Sequence, residues 1–276
     1  MSRKDLFIKE HYNKLKIYNN IYNHTYDHNE NLKLFETTKY TITLSNSHHG
    51  RLGNQIIRNL CVSIIAKKFN LYVIYSNYDK IRSLGIDLFV GSNVYNNRIK
   101  LTEENFFETL EKDTLDSNLD ANNCFFQTKE ITNYLYNYLH NEILVEEKIK
   151  DTNNSNCFVH IRLGDVASHN PGIEYYLKVI NMITFDKLYI SSDDPNHSII
   201  KLIIEKYPYS EILLLDEIET IKFGSSCRNI ILSHGSFSAV IGYLSTGSNV
   251  YYPKYKDGHI WHGDMFSIPN WIMIEY

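Results

Sequence analysis

Short, wholly apolar runs alternate with stretches in which apolar residues recur every three or four positions, and the alternation is clearest in the second half of the chain. There the pattern predicts strand 157–162, helix 172–183, strand 187–192, helix 196–206, strand 211–215, helix 217–223, strand 229–233, helix 237–245 and strand 249–252. Apolar strands separated by helical periods belong to a parallel sheet covered on both faces, so this half is expected to be Rossmann-like. Upstream, residues 40–44 are rich in β-formers, and Ile56, Ile57, Leu60, Ile64, Ile65 and Phe69 mark a helix buried on one face. Residues 71–75 supply the next strand and complete a β-α-β unit. Further on, Leu101–Glu104 opens a helix with Thr102 as its N-cap, Phe125–Gln127 reads as a strand and Ile131–Leu139 as a helix.

The run from Lys148 to Asn156 is polar and without apolar period, so a lobe boundary is expected there. The organisation that follows is α/β: an N-terminal appendage over 1–38, with helical spacing at Leu6, Phe7, Tyr12, Leu15 and Ile17, an N-terminal lobe over 39–155 and a nucleotide-binding C-terminal lobe over 156–276. The 276 residues carry 28 Lys and Arg against 32 Asp and Glu, a net charge of -4, with no basic block interleaved with aromatics, so nucleic acid is not an expected partner. No apolar run approaches the roughly 20 residues that cross a bilayer. The first ten residues lack the apolar core of a secretory signal, and the expected location is cytoplasmic. Cys61, Cys124, Cys157 and Cys227 are far apart and without C-x-x-C spacing, as expected of buried thiols in a reducing compartment.

Candidate chemistry gathers at four strand-to-helix turns. Alternation along 157–162 sends His160 and Arg162 to one face and Ile161 to the other, with Asp165 on the glycine turn that follows. Arg162 can bind a diphosphate through charge-assisted bonds, or it can pair with Asp165 and brace the turn. His160 can bond a base or a ribose. The turn Gly50-Arg51-Leu52-Gly53-Asn54-Gln55 presents a helix N-terminus to an anion, the alternative being an ordinary turn capped by Asn54. After strand 187–192, Asp194 and Pro195 read as N-cap and N1 of a helix, which leaves Asp193 to bond a ligand or solvent. Ser236, Phe237 and Ser238 open the helix after strand 229–233, either as a phosphate cradle or with Ser236 as a simple cap. No Asp-x-Asp occurs, and His48 and His49 have no Cys or carboxylate beside them, so no metal is expected. His49 is the one candidate general base.

Together these residues resemble the α-1,2-fucosyltransferases (glycosyltransferase family 11) and their α-1,6- and protein O-fucosyltransferase relatives. Gly50-Arg51-Leu52-Gly53-Asn54-Gln55 is similar to the family's Gly-x-Leu-Gly-Asn-Gln, and His160-Ile161-Arg162-Leu163-Gly164-Asp165 to its His-x-Arg-Arg-Gly-Asp. Ser192-Asp193-Asp194-Pro195, Ser236-Phe237-Ser238 and Phe126-Gln127-Thr128-Lys129-Glu130 resemble its remaining segments, in the same order over residues 42 to about 245. The resemblance implies a GT-B-like pair of Rossmann-like lobes with a cleft between them, a GDP-fucose donor, inversion at the anomeric carbon, a glycan acceptor and no cofactor or metal. It implies that Arg162 holds the β-phosphate, His160 and Asp193 read guanine, Ser236 and Ser238 bind phosphate, and Arg51 and Asn54 close from the first lobe, with Gly53, Asp165, Asp194 and Phe237 in the same donor-binding segments. Two positions depart from the family pattern. Leu163 stands where the family has a second Arg, and Ala239 and Val240 stand where it has paired tryptophans. The expected activity is therefore an inverting transfer of fucose to a sugar hydroxyl in an α-1,2 link. Transfer from another nucleotide sugar, or binding without turnover, are the alternatives.

Overall fold

A computed structural model of the chain describes residues 42–143, 155–254 and 264–276. The appendage expected over 1–38 and most of the polar run 148–156 lie outside the described residues. The first lobe runs β1 (Thr43–Ser45), α1 (Leu52–Phe69), β2 (Val73–Tyr75), α2 (Tyr78–Arg82), β3 (Arg98–Lys100), α3 (Phe106–Glu111), β4 (Asn118–Asp120) and α4 (Lys129–Tyr138). The second runs β5 (Cys157–Ile161), a 3-10 turn (Gly164–His169), α5 (Ile173–Met182), β6 (Leu188–Ser192), α6 (Ser198–Lys206), β7 (Glu211–Ile212), α7 (Glu217–Ser226), β8 (Asn229–Ile231), α8 (Ser236–Tyr243), β9 (Asn249–Pro253) and β10 (Ile272–Ile274).

The strands form two sheets, both parallel in every pairing. The smaller has the order β2-β1-β4-β3 and the larger β10-β9-β8-β5-β6-β7. Counted by strand position, the larger sheet has the 3-2-1-4-5-6 order of a Rossmann fold. Its direction of winding reverses between β5 and β8, which places a crevice beyond the carboxyl ends of those two strands. Every residue of β5 is buried, as a central parallel strand requires. Its odd positions Cys157, Val159 and Ile161 pack with Tyr175, Tyr176, Val179 and Ile180 of α5. Phe158 packs on the opposite face, in a cluster that contains α7, α8, and the core of α1.

That second cluster is continuous from the small sheet through α1 to α8 and β8, so the two sheets share one apolar core. Helix α1 lies at its centre. The helix predicted to bury one face buries nearly all of them, including the polar Arg58 and Asn59, and among its residues only Lys67 and Lys68 are exposed. Helix α8 is packed as tightly, with Ser238 through Tyr243 all buried and Gly242 lying under the Trp271 ring. Ala239 and Val240 are therefore core residues, with Trp271 supplying aromatic bulk from the C-terminal strand region.

Three expected elements are corrected. Phe125–Gln127 is not a strand: Phe126 has φ 56° and is fully buried, and the Glu103 carboxylate accepts the N–H groups of Phe125 (3.2 Å) and Phe126 (2.7 Å) in place of a neighbouring strand. The helix expected to open at Thr102 begins at Phe106 with Asn105 at its cap position, because the Asn105 side chain ties back to Thr102 N–H (2.8 Å) and Lys100 O (2.9 Å). The helix after β6 begins at Ser198, capped by His197 Nδ1 on the N–H of Ile199 (3.2 Å), while the Asp194 carboxylate accepts the N–H of Asn196 (3.3 Å) and its carbonyl that of His197 (3.3 Å) in a local turn. Strands β3, β4 and β10 were not anticipated; each has three residues, and the first two carry Arg, Lys, Asn and Asp. Among the described residues no helix is long and apolar enough to cross a membrane.

The two helices α1 and α8 meet at their first turns, where a Cβ on Gly53 would stand 2.5 Å from the backbone nitrogen of Phe237. Helix propensity alone favours Ala over Gly by about 1 kcal/mol, but the contacted atoms are backbone and cannot step aside. Gly53→Ala is accordingly expected to destabilise the protein by about 1–3 kcal/mol. A thermal midpoint equal to or above that of the wild type would show that the helices separate without cost.

Candidate functional site

The crevice at the β5/β8 reversal opens into a cleft of about 410 Å³ between the two sheets. Four turns of the larger lobe wall it, those after β5, β6, β7 and β8, and the β1–α1 turn of the smaller lobe closes it. The N-termini of α1 and α8 both lie at this cleft, so two sets of unbonded backbone N–H groups, each at the positive end of a helix, face the same space. Neither helix takes a side-chain cap. Arg51 and Gly235 are the residues at the cap positions, so the capping roles open to Asn54 and Ser236 are not the ones they play.

Asn54 is instead a polar link between the lobes. Its Oδ1 accepts Gln127 Nε2 (2.7 Å) and the Ser236 hydroxyl, which fixes the amide orientation and turns its NH2 toward Gly50. Gln127, buried and cleft-lining, was part of a motif in the sequence but carried no assigned role.

Arg162 sits at the tip of β5 with its side chain 13% exposed. It donates to Asp193 through one nitrogen and to Asp165 through another. Arg51 approaches the same two carboxylates from the opposite lobe, at 3.6 Å from Asp165 and 3.7 Å from Asp193. The four side chains alternate in sign around the mouth of the cleft. Asp193 is further held by the N–H of Leu163 (2.8 Å), and the close approach of its carboxylate is possible because position 164 is Gly, where a Cβ would lie 2.4 Å from Asp193 Oδ2. The Asp165 pairing foreseen for Arg162 is thus present, with Asp193 as a second partner. Asn170 braces the turn from behind by donating to Arg162 O (2.8 Å).

His160 and His234 line the floor and are both 5% exposed. The Ser238 hydroxyl lies 2.5 Å from His160 Nδ1 and also accepts the N–H of Ser233 (3.2 Å). In the tautomer in which that hydroxyl donates to Nδ1, the imidazole carries its proton on Nε2. Burial, with Arg162 and His234 adding to it, pulls the His160 pKa down to about 3. Burial, His169 and Arg162 pull that of His234 to about 4. Both rings are therefore neutral at physiological pH.

Some expected contacts are not made in this arrangement. Ser238 is fully buried and serves His160, so it presents no hydroxyl to a phosphate. Gly53 lies beneath the Phe237 backbone and Asp194 in its own turn, and neither lines the cleft. His49 stacks on Phe125 with ring centroids 5.3 Å apart and is outside the lining as well. Leu163, in place of a second Arg, is buried in the core on the far face of the sheet. Lining residues without a sequence signal include Leu215, Glu217, Thr220 and Met265, and His234 lines the cleft from the start of the Ser236–Ser238 turn. Glu217 reaches Lys80 of α2 at 3.3 Å, a further ion pair between the lobes beside the two of Arg51. Among the described residues no group of three or more His, Cys, Asp or Glu side chains is arranged to hold a metal ion. No protein-family model and no curated protein matches the chain.

The two neutral histidines make stability pH-dependent. An unfolded imidazole binds its proton near pH 6.5, whereas the folded ones do so only near 3 and 4. The unfolded state therefore holds more protons below 6.5, and stability falls as pH drops through that window, by up to about 1.4 kcal/mol per unit for each ring. His234→Asn is expected to flatten the dependence of the urea midpoint between pH 6.5 and 4; a slope equal to the wild type's would mean that His234 titrates in the folded protein as it does in the unfolded one.

Proposed function

We propose that the chain is an inverting glycosyltransferase that moves fucose from GDP-fucose to a sugar hydroxyl of a glycan, forming an α-1,2 link, in a GT-B-like fold that needs no metal. The observation that carries the reading is the convergence of two helix N-termini and two arginines, Arg51 and Arg162, on one cleft at the reversal point of a 3-2-1-4-5-6 sheet. That combination suits a sugar nucleotide, whose diphosphate carries the charge and becomes the leaving group. The choice of guanine and fucose rests on the resemblance of the Gly-Arg-Leu-Gly-Asn-Gln and His-Ile-Arg-Leu-Gly-Asp segments.

In this reading the acceptor oxygen attacks the anomeric carbon from the face opposite the diphosphate. The bond from that carbon to the phosphate oxygen breaks, and GDP leaves with the bonding pair. Arg162 meets the charge that develops on the β-phosphate, exchanging part of its bonding to Asp165 for phosphate oxygens, and the backbone N–H groups of Ser236 and Phe237 add to it. Asn54, held by Gln127 and Ser236, directs its NH2 into the same region. His160 is neutral, and in the tautomer with its proton on Nε2 it donates to an acceptor atom of the nucleotide. His49 is not carried into the mechanism, since it lies outside the cleft. Asp165 and Glu217 line the cleft with half or more of their side-chain surface exposed, and they are the groups able to take the acceptor's proton.

Burial of Leu163 keeps a second reading in play, a member that binds nucleotide or glycan without turnover, and a different sugar nucleotide is a third. Thermal shift with GDP, UDP and dTDP separates them, since a ligand selective for the native state stabilises it by mass action. GDP alone is expected to raise the midpoint without added metal, and transfer from GDP-fucose to a galactoside is expected to follow. Arg162→Ala should lower that transfer by about 10²–10³-fold. Equal shifts with all three nucleotides would defeat the donor assignment, and undiminished turnover in the variant would remove the role of Arg162.

A further inference from the structure

We infer that Arg58 is the cation behind the anion cradle: it positions the turn that carries Gly50 and Arg51, and it supplies the positive charge that the arginines of the cleft, tied to carboxylates, lack. The inference rests on the diphosphate reading of the cleft. Arg58 lies in the second turn of α1 and is fully buried. Its guanidinium donates to the carbonyls of Ser47 and His49 (the latter at 3.3 Å) and to the Ser76 hydroxyl (3.2 Å), while Nε has no partner. Both carbonyls belong to the β1–α1 turn, one and three residues before Gly50, which lines the cleft.

Among the described residues no carboxylate pairs with Arg58. Burial draws its pKa down to about 10, which still leaves it charged at neutral pH. The two arginines of the cleft differ in this respect. Arg51 and Arg162 share Asp165 and Asp193, two positive charges against two negative ones, so the ring carries no net charge until a carboxylate is released. A cation withdrawn from water and without a counter-ion is costly to hold, and an anion arriving at the neighbouring turn relieves part of that cost. Its field is also screened little by salt. The remaining supports of the turn are neutral: Asn122 Oδ1 accepts the N–H groups of Asn46 (3.0 Å) and Ser47 (2.9 Å), and Gln55 Nε2 donates to Gly50 O (2.9 Å).

The test compares wild type, Arg58→Lys and Arg58→Met by isothermal titration with GDP, guanosine and inorganic pyrophosphate, with circular dichroism as a check of folding. Arg58→Met is expected to weaken GDP and pyrophosphate about tenfold or more and guanosine by less than about twofold, with Arg58→Lys intermediate, because it keeps the charge and loses the forked bond to the carbonyls. A general structural defect would lower all three ligands together, and that result overturns the inference, as does a folded Arg58→Met that binds GDP like the wild type. Should Arg58→Met not fold, Arg58→Lys decides, with GDP binding equal to the wild type's overturning the proposal. Wild-type protein that binds pyrophosphate without preferring GDP defeats the nucleotide reading and leaves Arg58 to be judged on pyrophosphate. Wild-type protein that binds neither anion defeats both.

Discussion

The site exists because two helices touch without side chains between them. At Gly53 the first turn of α1 lies against the backbone of Ser236 and Phe237 at the start of α8, closer than any residue with a Cβ permits. The short approach lets one amide oxygen bond both Gln127 of the small lobe and Ser236 of the large one. It also aims two helix N-termini at one volume. The shared apolar core around α1 then fixes the approach, since a helix buried on nearly every side has no neighbouring position to slide into.

Within the cleft the polar groups are held by one another before any ligand arrives. Ser238 is spent on His160, and the Leu163 N–H on Asp193, so the side chains that face the opening are oriented by ones that do not. This is the arrangement expected of a site that binds with little reorganisation. Neutrality of His160 and His234 follows from the same closeness: each ring is buried near a guanidinium, so neither adds a charge that Arg162 would have to oppose.

Much of the large sheet could be read from residue pattern because its strands are apolar on both faces and its helices amphipathic. Strand β5 and helix α5 fall within a residue of expectation. The elements that escaped notice are those whose geometry is imposed by contacts distant in sequence. Strands β3 and β4 are short and polar, and they are strands because each pairs with a neighbour that the sequence does not mark as one. Phe126 takes a left-handed conformation because Glu103, more than twenty residues away, accepts its N–H. The site follows the same rule. Arg51, Asn54, His160, Arg162 and Asp193 announce themselves at strand-to-helix turns, where polar residues beside glycine have few other uses. Ser238 has the same local signature as Ser236, yet two positions along the helix separate a lining hydroxyl from a buried one.

The ring of Arg51, Asp165, Arg162 and Asp193 has an internal order that bears on how an anion enters. Asp193 is 25% exposed and held by a backbone N–H in addition to Arg162, whereas Asp165 is 60% exposed and Arg51 61%. Exposed ion pairs contribute only about 0–1 kcal/mol because water and salt already screen them, so the Asp165 side of the ring is the one that yields. Release of Asp165 frees one edge of Arg162 and one of Arg51, on opposite sides of the cleft, while Asp193 continues to hold Arg162 in register. The carboxylates therefore keep two long cationic side chains ordered in the empty cleft at small energetic cost, and the ordering entropy that a ligand would otherwise have to supply is already spent.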